Sequence, residues 1–149
     1  MIGMKISTKG RYALRLMIDI AVRGSDVNVS IRDVSESQGI STKYLEQIVS
    51  ALVRAGFLRS VRGAQGGYRL ARKPSEYTVG DILRVMEGSL APVSCLDDAE
   101  NQCERAEECA TLKLWQGLYD VINNYLDSIT LEDLVNETIQ ENSSYDFCI

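Results

Sequence analysis

Along most of the chain, apolar residues return every three or four positions, the spacing of helices that bury one face. Leu14, Met17, Ile18 and Ala21 line such a face between the candidate caps Ser7 and Thr8 and a stop at Gly24. Ser30 and Asp33 form the reciprocal capping pattern ahead of a short helix that Gly39 ends. One turn later a third helix starts at Ser41, buries Leu45, Ile48, Val49 and Leu52, and stops at Gly56. Two short helices joined by a tight glycine-containing turn make a helix-turn-helix pattern.

Past Phe57 the period shortens. LRSV and YRLA alternate apolar and polar residues around Gly63, Gly66 and Gly67, which predicts a hairpin whose turn uses positive φ. Thr78 and Asp81 then cap a helix that runs to Gly88. No period is visible from residue 89 to about 104; a long helix follows to about Ser128, and Thr130 with Asp133 caps a last one in TLEDLVNETIQ. Within the long helix, Leu112, Trp115, Tyr119, Ile122, Leu126 and Ile129 alternate steps of three and four, a seam for another helix. The seam suits a core stripe within one chain or self-association, and the latter is favoured because so short a chain leaves few elements to cover it. The expected architecture is mainly α: a winged helix-turn-helix with a small β-hairpin wing and a long dimerisation helix. It divides into a DNA-binding unit at 1–88, a cysteine-containing sensor loop at 89–109, and a dimerisation helix, final helix and tail at 110–149.

Charge adds a direction to this pattern. The 149 residues carry a net charge of −5, yet residues 1–75 hold 13 Lys and Arg against 5 Asp and Glu, and residues 76–149 hold 3 against 16. A basic half joined to an acidic half points to a polyanion met on one side only. The basic residues concentrate in RSVRGAQGGYRLAR, with Arg59, Arg62, Arg69 and Arg72 around the hairpin glycines. No apolar run is long enough for a membrane span and no signal-peptide pattern opens the chain, so a cytoplasmic protein with no membrane partner is expected. With no histidine, no phosphate loop and no paired catalytic motif, an enzyme is not expected.

Opposite its apolar stripe the third helix carries Lys43, Gln47, Ser50 and Arg54, with Tyr44 and Glu46 at the edges. The second helix of a helix-turn-helix enters the major groove with its N-terminal residues near base edges. There Gln47 suits adenine and Ser41 suits a base or a phosphate. Glu46 is repelled by phosphates unless it accepts from a cytosine amino group, which makes it a candidate for sequence discrimination. A polar helix face alone is ordinarily a solvated face, and charges on a lone hairpin ordinarily guard its edges against aggregation. Their succession changes the balance: a basic hairpin after the second helix is a wing, whose arginines can approach phosphates or a minor groove.

Four cysteines in a reducing compartment are thiols or metal ligands rather than a disulfide framework. Cys95, Cys103 and Cys109 lie in the segment without period. Three thiolates can hold iron or an iron-sulfur cluster, which normally takes four ligands, whereas the paired short spacings common in structural zinc sites are absent. A fourth ligand would be Cys148, a carboxylate of Glu104, Glu107 or Glu108, a group from a partner subunit, or nothing from the protein. Unligated or oxidation-responsive thiols fit the local pattern equally well. Six acids and one arginine between the outer cysteines would make any anionic cluster harder to reduce.

Together, MKISTKGRYAL, ISTKYLEQIVSALVRAGFLRSVRGAQGGYRL and ITLEDLV resemble the Rrf-two family of bacterial winged-helix regulators, over nearly the whole chain. The resemblance implies a homodimer that crosses its long helices, binds double-stranded DNA with the second helix and wing, and represses until a small-molecule or cluster signal intervenes. Positions that match the family put DNA contacts at Ser41, Lys43, Tyr44, Gln47, Arg62 and the turn of Gly63, Gly66 and Gly67. Glu46 matches the glutamate that makes one class of site cluster-dependent in the family's cluster regulators. The same relatives imply Cys95, Cys103 and Cys109 as ligands of an iron-sulfur cluster, 2Fe–2S first, with 4Fe–4S or no cluster as alternatives.

Two departures qualify that transfer. Seven residues separate the first two cysteines where the cluster regulators have five, and Leu112 stands where they have a histidine. An aspartate that a nitric-oxide-sensing relative supplies from the partner's first helix is Arg11 here. Meanwhile DILRVMEG, APVSCLDD and YDFCI resemble the family's cysteine-metabolism repressors, which lack the three-cysteine loop; that ending implies cysteine synthase as a partner, receiving the Ile149 carboxylate. The expectation is therefore a sequence-specific DNA-binding repressor, homodimeric and modulated by a cluster. The alternative is a clusterless repressor of cysteine or sulfur metabolism, controlled by cysteine synthase or by thiol oxidation.

Overall fold

The computed structural model of the chain describes residues 5–97 and 107–147. Helix α1, Thr8–Arg23, is capped by the Ser7 hydroxyl, which accepts from Gly10 N at 3.2 Å. Helix α2, Ile31–Gln38, opens with the reciprocal Ser30–Asp33 box and ends at left-handed Gly39. Helix α3, Thr42–Arg54, starts where the Ser41 hydroxyl accepts from Tyr44 N at 3.3 Å. Strands β1, Leu58–Val61, and β2, Gly67–Leu70, form the antiparallel hairpin, in register from Leu58 opposite Leu70 to Val61 opposite Gly67. A 3₁₀ turn at Pro74–Glu76 leads into α4, Val79–Glu87, and a second at Ser94–Leu96 precedes the undescribed segment. Helices α5, Leu112–Asp127, and α6, Leu131–Phe147, complete the chain. The long helix thus begins at Leu112 rather than near residue 105, which leaves Cys109 ahead of it.

The main core is built where the helical stripes converge: Leu16 and Met17 of α1, Leu45, Ile48 and Leu52 of α3, Ile82 of α4 and Leu131 of α6 are all buried. Side chains of this kind contribute about 1.5–3 kcal/mol each on burial, which fixes how α3 sits on α1. Tyr77, fully buried, joins this core to the hairpin. Its hydroxyl donates to Phe57 O at 2.7 Å and accepts from Arg72 N at 2.9 Å, and its ring meets Phe57 edge-on. Burial raises its pKa above the ordinary tyrosine value, so the hydroxyl stays a donor.

The C-terminal helices fold back on this unit. Leu131 N donates to Tyr77 O at 3.0 Å and Val79 N to Ile129 O at 2.8 Å, around a bridge between Thr78 and Thr130. Arg84 of α4 grips Asp127 of α5 with both guanidinium ends, at 2.8 and 2.9 Å, and reaches Asn123 at 2.9 Å. A second cluster of Val79, Leu83 and Leu90 takes in Tyr119, Ile122, Leu126 and Ile129. Those four belong to the stripe expected to meet another helix. Within the chain they pack on Val79 and Leu83 of α4 and on Leu90 just past it, which leaves them partly buried. What α5 exposes is the neighbouring stripe, with Leu114 at 60 %, Val121 at 64 % and Tyr125 at 64 %. Among the described residues no helix is long and apolar enough to cross a membrane.

Candidate nucleic-acid interface

The presentation of α3 begins on α1. Asp19, buried to 8 % exposure, accepts from Arg23 Nε at 2.6 Å, from Gln38 Nε2 at 3.0 Å and from the Ser37 hydroxyl, and so holds α2 on α1. Arg15 then donates to Gln38 O at 2.6 Å and to Gln38 Oε1 at 3.0 Å while its guanidinium lies over the Tyr12 ring. Tyr12 in turn meets the Tyr44 ring edge-on at 5.7 Å. A continuous path of contacts therefore runs from a buried carboxylate to the first turn of α3. With Leu45, Ile48, Val49 and Leu52 facing inward, Ser41, Lys43, Glu46, Gln47, Ser50 and Arg54 are exposed and Tyr44 is half-buried. The exposed N-terminal end of the helix also carries the positive pole of its dipole, which favours an anion nearby.

Beside this face stands the hairpin, and its four arginines divide. Arg59 and Arg62 are exposed. Arg69 turns to the α1–α2 connection, donating to Asn28 Oδ1 and, at 3.4 Å, to Asp26 O. Arg72 is exposed as well, and its guanidinium lies over the Phe57 and Tyr77 rings at 5.1 and 5.4 Å. Arg69 and Arg72 thus also make contacts within the chain, of which the sequence held no local sign. The turn glycines also differ in their reasons. Gly63 and Gly67 have positive φ, at 115° and 152°, as expected, but Gly66 is required for space: a Cβ there would overlap Val61 O. Gly67 further allows β2 to lie against Val29, whose backbone exchanges hydrogen bonds of 3.0 and 2.8 Å with Tyr68. Sequence reasoning missed this third strand-like segment because one residue pair leaves no periodicity.

Of the three thiols singled out, Cys95 sits on the 3₁₀ turn and Cys109 three residues ahead of α5; both are half-buried and free. Cys103, like Cys148 and Ile149, lies outside the described residues. The Thr111 hydroxyl, 3.5 Å from Cys109 Sγ, lowers that thiol's pKa from its ordinary value, with backbone hydrogen bonds adding to the effect. Among the described residues, which do not include Cys103 or Glu104, no three His, Cys, Asp or Glu gather as a metal site. Thiolates at 95 and 109 would suit an iron-sulfur cluster by their softness, and two are fewer than the four ligands such a cluster normally takes.

The winged fold is shared with known proteins. The family profile for Rrf2, described as an iron-dependent transcriptional regulator, matches residues 6–137. The chain belongs to the Rrf2 family. It is 44 % identical over 146 residues to the HTH-type transcriptional regulator CymR of Bacillus subtilis, covering 98 % of this chain and 100 % of that one. It is 40 % identical over 139 residues to the HTH-type transcriptional regulator IscR of Aliivibrio salmonicida, covering 93 % and 82 %. The solved structure of CymR, the global cysteine regulator of B. subtilis, superposes with a TM-score of 0.73 at 41 % identity, covering 92 % and 98 % of the two chains. IscR of T. potens superposes at 0.72 with 40 % identity, covering 90 % and 88 %. This Rrf2 protein is therefore a DNA-binding transcriptional regulator and not an enzyme. Similarity to the two kinds of relative is close to equal, so it does not choose between their modes of control.

Proposed function

We propose that this Rrf2 regulator is a cytoplasmic homodimeric repressor that reads duplex DNA with α3 and the wing, and that an iron-sulfur cluster tunes its affinity. The observation that carries the DNA reading is the exposed face of α3 standing beside a wing whose Arg59 and Arg62 are exposed. In this reading Ser41, Lys43 and Tyr44 position the helix on phosphates, Gln47 and Glu46 read base edges, and Arg62 enters a groove beside Gly63, Gly66 and Gly67. Leu114, Val121 and Tyr125 form the surface that a second copy covers, so that two winged units meet two half-sites. The functional division keeps 1–88 for DNA, 89–109 for sensing and 110–149 for dimerisation, although Leu131 and Val135 of α6 return to the first core.

Cys95, Cys103 and Cys109 are the residues that would hold the cluster, which supplies an oxidisable charged link between the loop and the helices. The preferred form is 2Fe–2S, with 4Fe–4S as the alternative. Anaerobic reconstitution with iron and sulfide counting, followed by duplex binding, tests this. A cluster that raises or lowers affinity supports it; no cluster, together with unchanged binding after all three cysteines become Ala, sinks it. A second reading is supported by Leu112 in the place of a histidine ligand, in a chain that is 44 % identical to CymR over 146 residues. In it the repressor is clusterless and reports cysteine supply through cysteine synthase or thiol oxidation. A pull-down with the intact Ile149 terminus that recovers no cysteine synthase removes the enzyme as partner.

A further inference from the structure

The wing is held from outside itself. Asn28, half-buried in the connection between α1 and α2, donates from Nδ2 to Gln65 O at 2.8 Å and accepts on Oδ1 from Arg69 Nε. One side chain thus clasps the tip of the turn and a strand of the stem. The strands are four residues each and pair only as far as Val61 opposite Gly67, so Arg62 is the first residue beyond the ladder. A two-stranded hairpin is marginal alone, and glycines at 63, 66 and 67 leave the turn little stiffness of its own. The Val29–Tyr68 pair secures the stem. Only Asn28 among the described residues bonds to the tip from another element.

We infer that Asn28 is a positioning residue for DNA recognition: it aims the Arg62 guanidinium by anchoring the turn at Gln65, and it withholds Arg69 from phosphates by occupying its Nε. The inference rests on the reading that the wing meets DNA. It makes two linked expectations. When the clasp is lost the turn swings, so Arg62 loses its register with the groove. Arg69 is released at the same time, and a freed guanidinium adds a phosphate contact that carries no sequence information.

The full-length protein is titrated with its preferred duplex and with a scrambled duplex over a range of salt, as the parent, Asn28→Ala, Arg62→Ala and the double variant. Asn28→Ala is expected to weaken preferred-duplex binding about tenfold while scrambled binding holds or tightens, and to steepen the salt slope by about one phosphate contact. Arg62→Ala, costly in the parent, should then cost less than about threefold in the Asn28→Ala background, because the two residues act as one unit. Hydrogen exchange should quicken in the turn and not in α1. Asn28→Asp keeps the acceptor for Arg69 and loses the donor to Gln65; it should lose preferred-duplex affinity without the steeper slope, and it serves if the alanine variant folds poorly. Independent, multiplying losses from Asn28→Ala and Arg62→Ala overturn the inference alone. An Arg62→Ala variant that binds like the parent overturns the wing reading, and the inference with it.

Discussion

Helices α3 and α5 are both amphipathic, and they finish their faces in opposite ways. In α3 the apolar stripe is buried and what remains outside is Lys43, Glu46, Gln47, Ser50 and Arg54. In α5 no residue is buried, the inner stripe only half-covers itself on α4, and the outer face carries Leu114, Val121 and Tyr125. A polar outer face is stable in water and selects partners by hydrogen bonds and charge. A contiguous apolar outer face is a surface that another molecule can cover. In the proposed reading the polar face of α3 meets DNA and the apolar face of α5 meets a second copy, which gives each helix a different vulnerability.

That contrast can be broken first in the core. Leu45→Ala, at a position with no exposure, should cost about 2–5 kcal/mol in urea unfolding because a cavity is left between α3 and α1. Val121→Asp should leave the subunit folded, since the site is 64 % exposed, but should weaken self-association by on the order of 3 kcal/mol where a carboxylate meets an apolar surface. Sedimentation is the measurement. A Val121→Asp protein that remains as dimeric as its parent would move the interface off α5.

Local chemistry made much of the fold legible. The boxes of Ser30 with Asp33, Thr78 with Asp81 and Thr130 with Asp133 each involve neighbours three apart, and all three are present. The face of α5 was not legible in the same way. Tyr119, Ile122 and Leu126 keep helical spacing, and so do Leu114, Val121 and Tyr125; period alone does not say which stripe α4 takes. Within the candidate site, Gln47 and Lys43 were readable because helical phase fixes their side. The fates of Arg69 and Arg72 were not, because they depend on Asn28, which is 41 residues away, and on the Phe57 and Tyr77 rings.

The next test compares the two ends of the reading surface. Gln47→Ala and Arg62→Ala should each cost about 1–3 kcal/mol of binding to the preferred duplex if they meet base edges, and should relax specificity at different positions. Lys43→Ala should weaken all duplexes alike and lower the salt slope by about one. Equal losses of Arg62→Ala on preferred and scrambled duplexes would reduce the wing to a phosphate clamp.

The smallest expected effect concerns the inner face of α5, where Arg84 and Asp127 tie it to α4. The Arg84 hydrogen bonds hold the Asp127 carboxyl below its ordinary value of 3.8, with help from the Thr78 hydroxyl at 3.3 Å. A carboxyl whose folded value is depressed contributes stability above its unfolded value, and that contribution is lost as pH falls through the folded one. Both partners are partly exposed, so the pair is worth only about 0.2–1 kcal/mol. Asp127→Asn should accordingly lower the urea midpoint at pH 7, and the gap to the parent should close as pH drops below 3.8. Asp33, also depressed by its bonds with Ser30, is common to both proteins and cancels. A gap that stays constant through the acid range would mean that shape rather than charge seats α5 on α4, and that its inner and outer faces differ less than their chemistry implies.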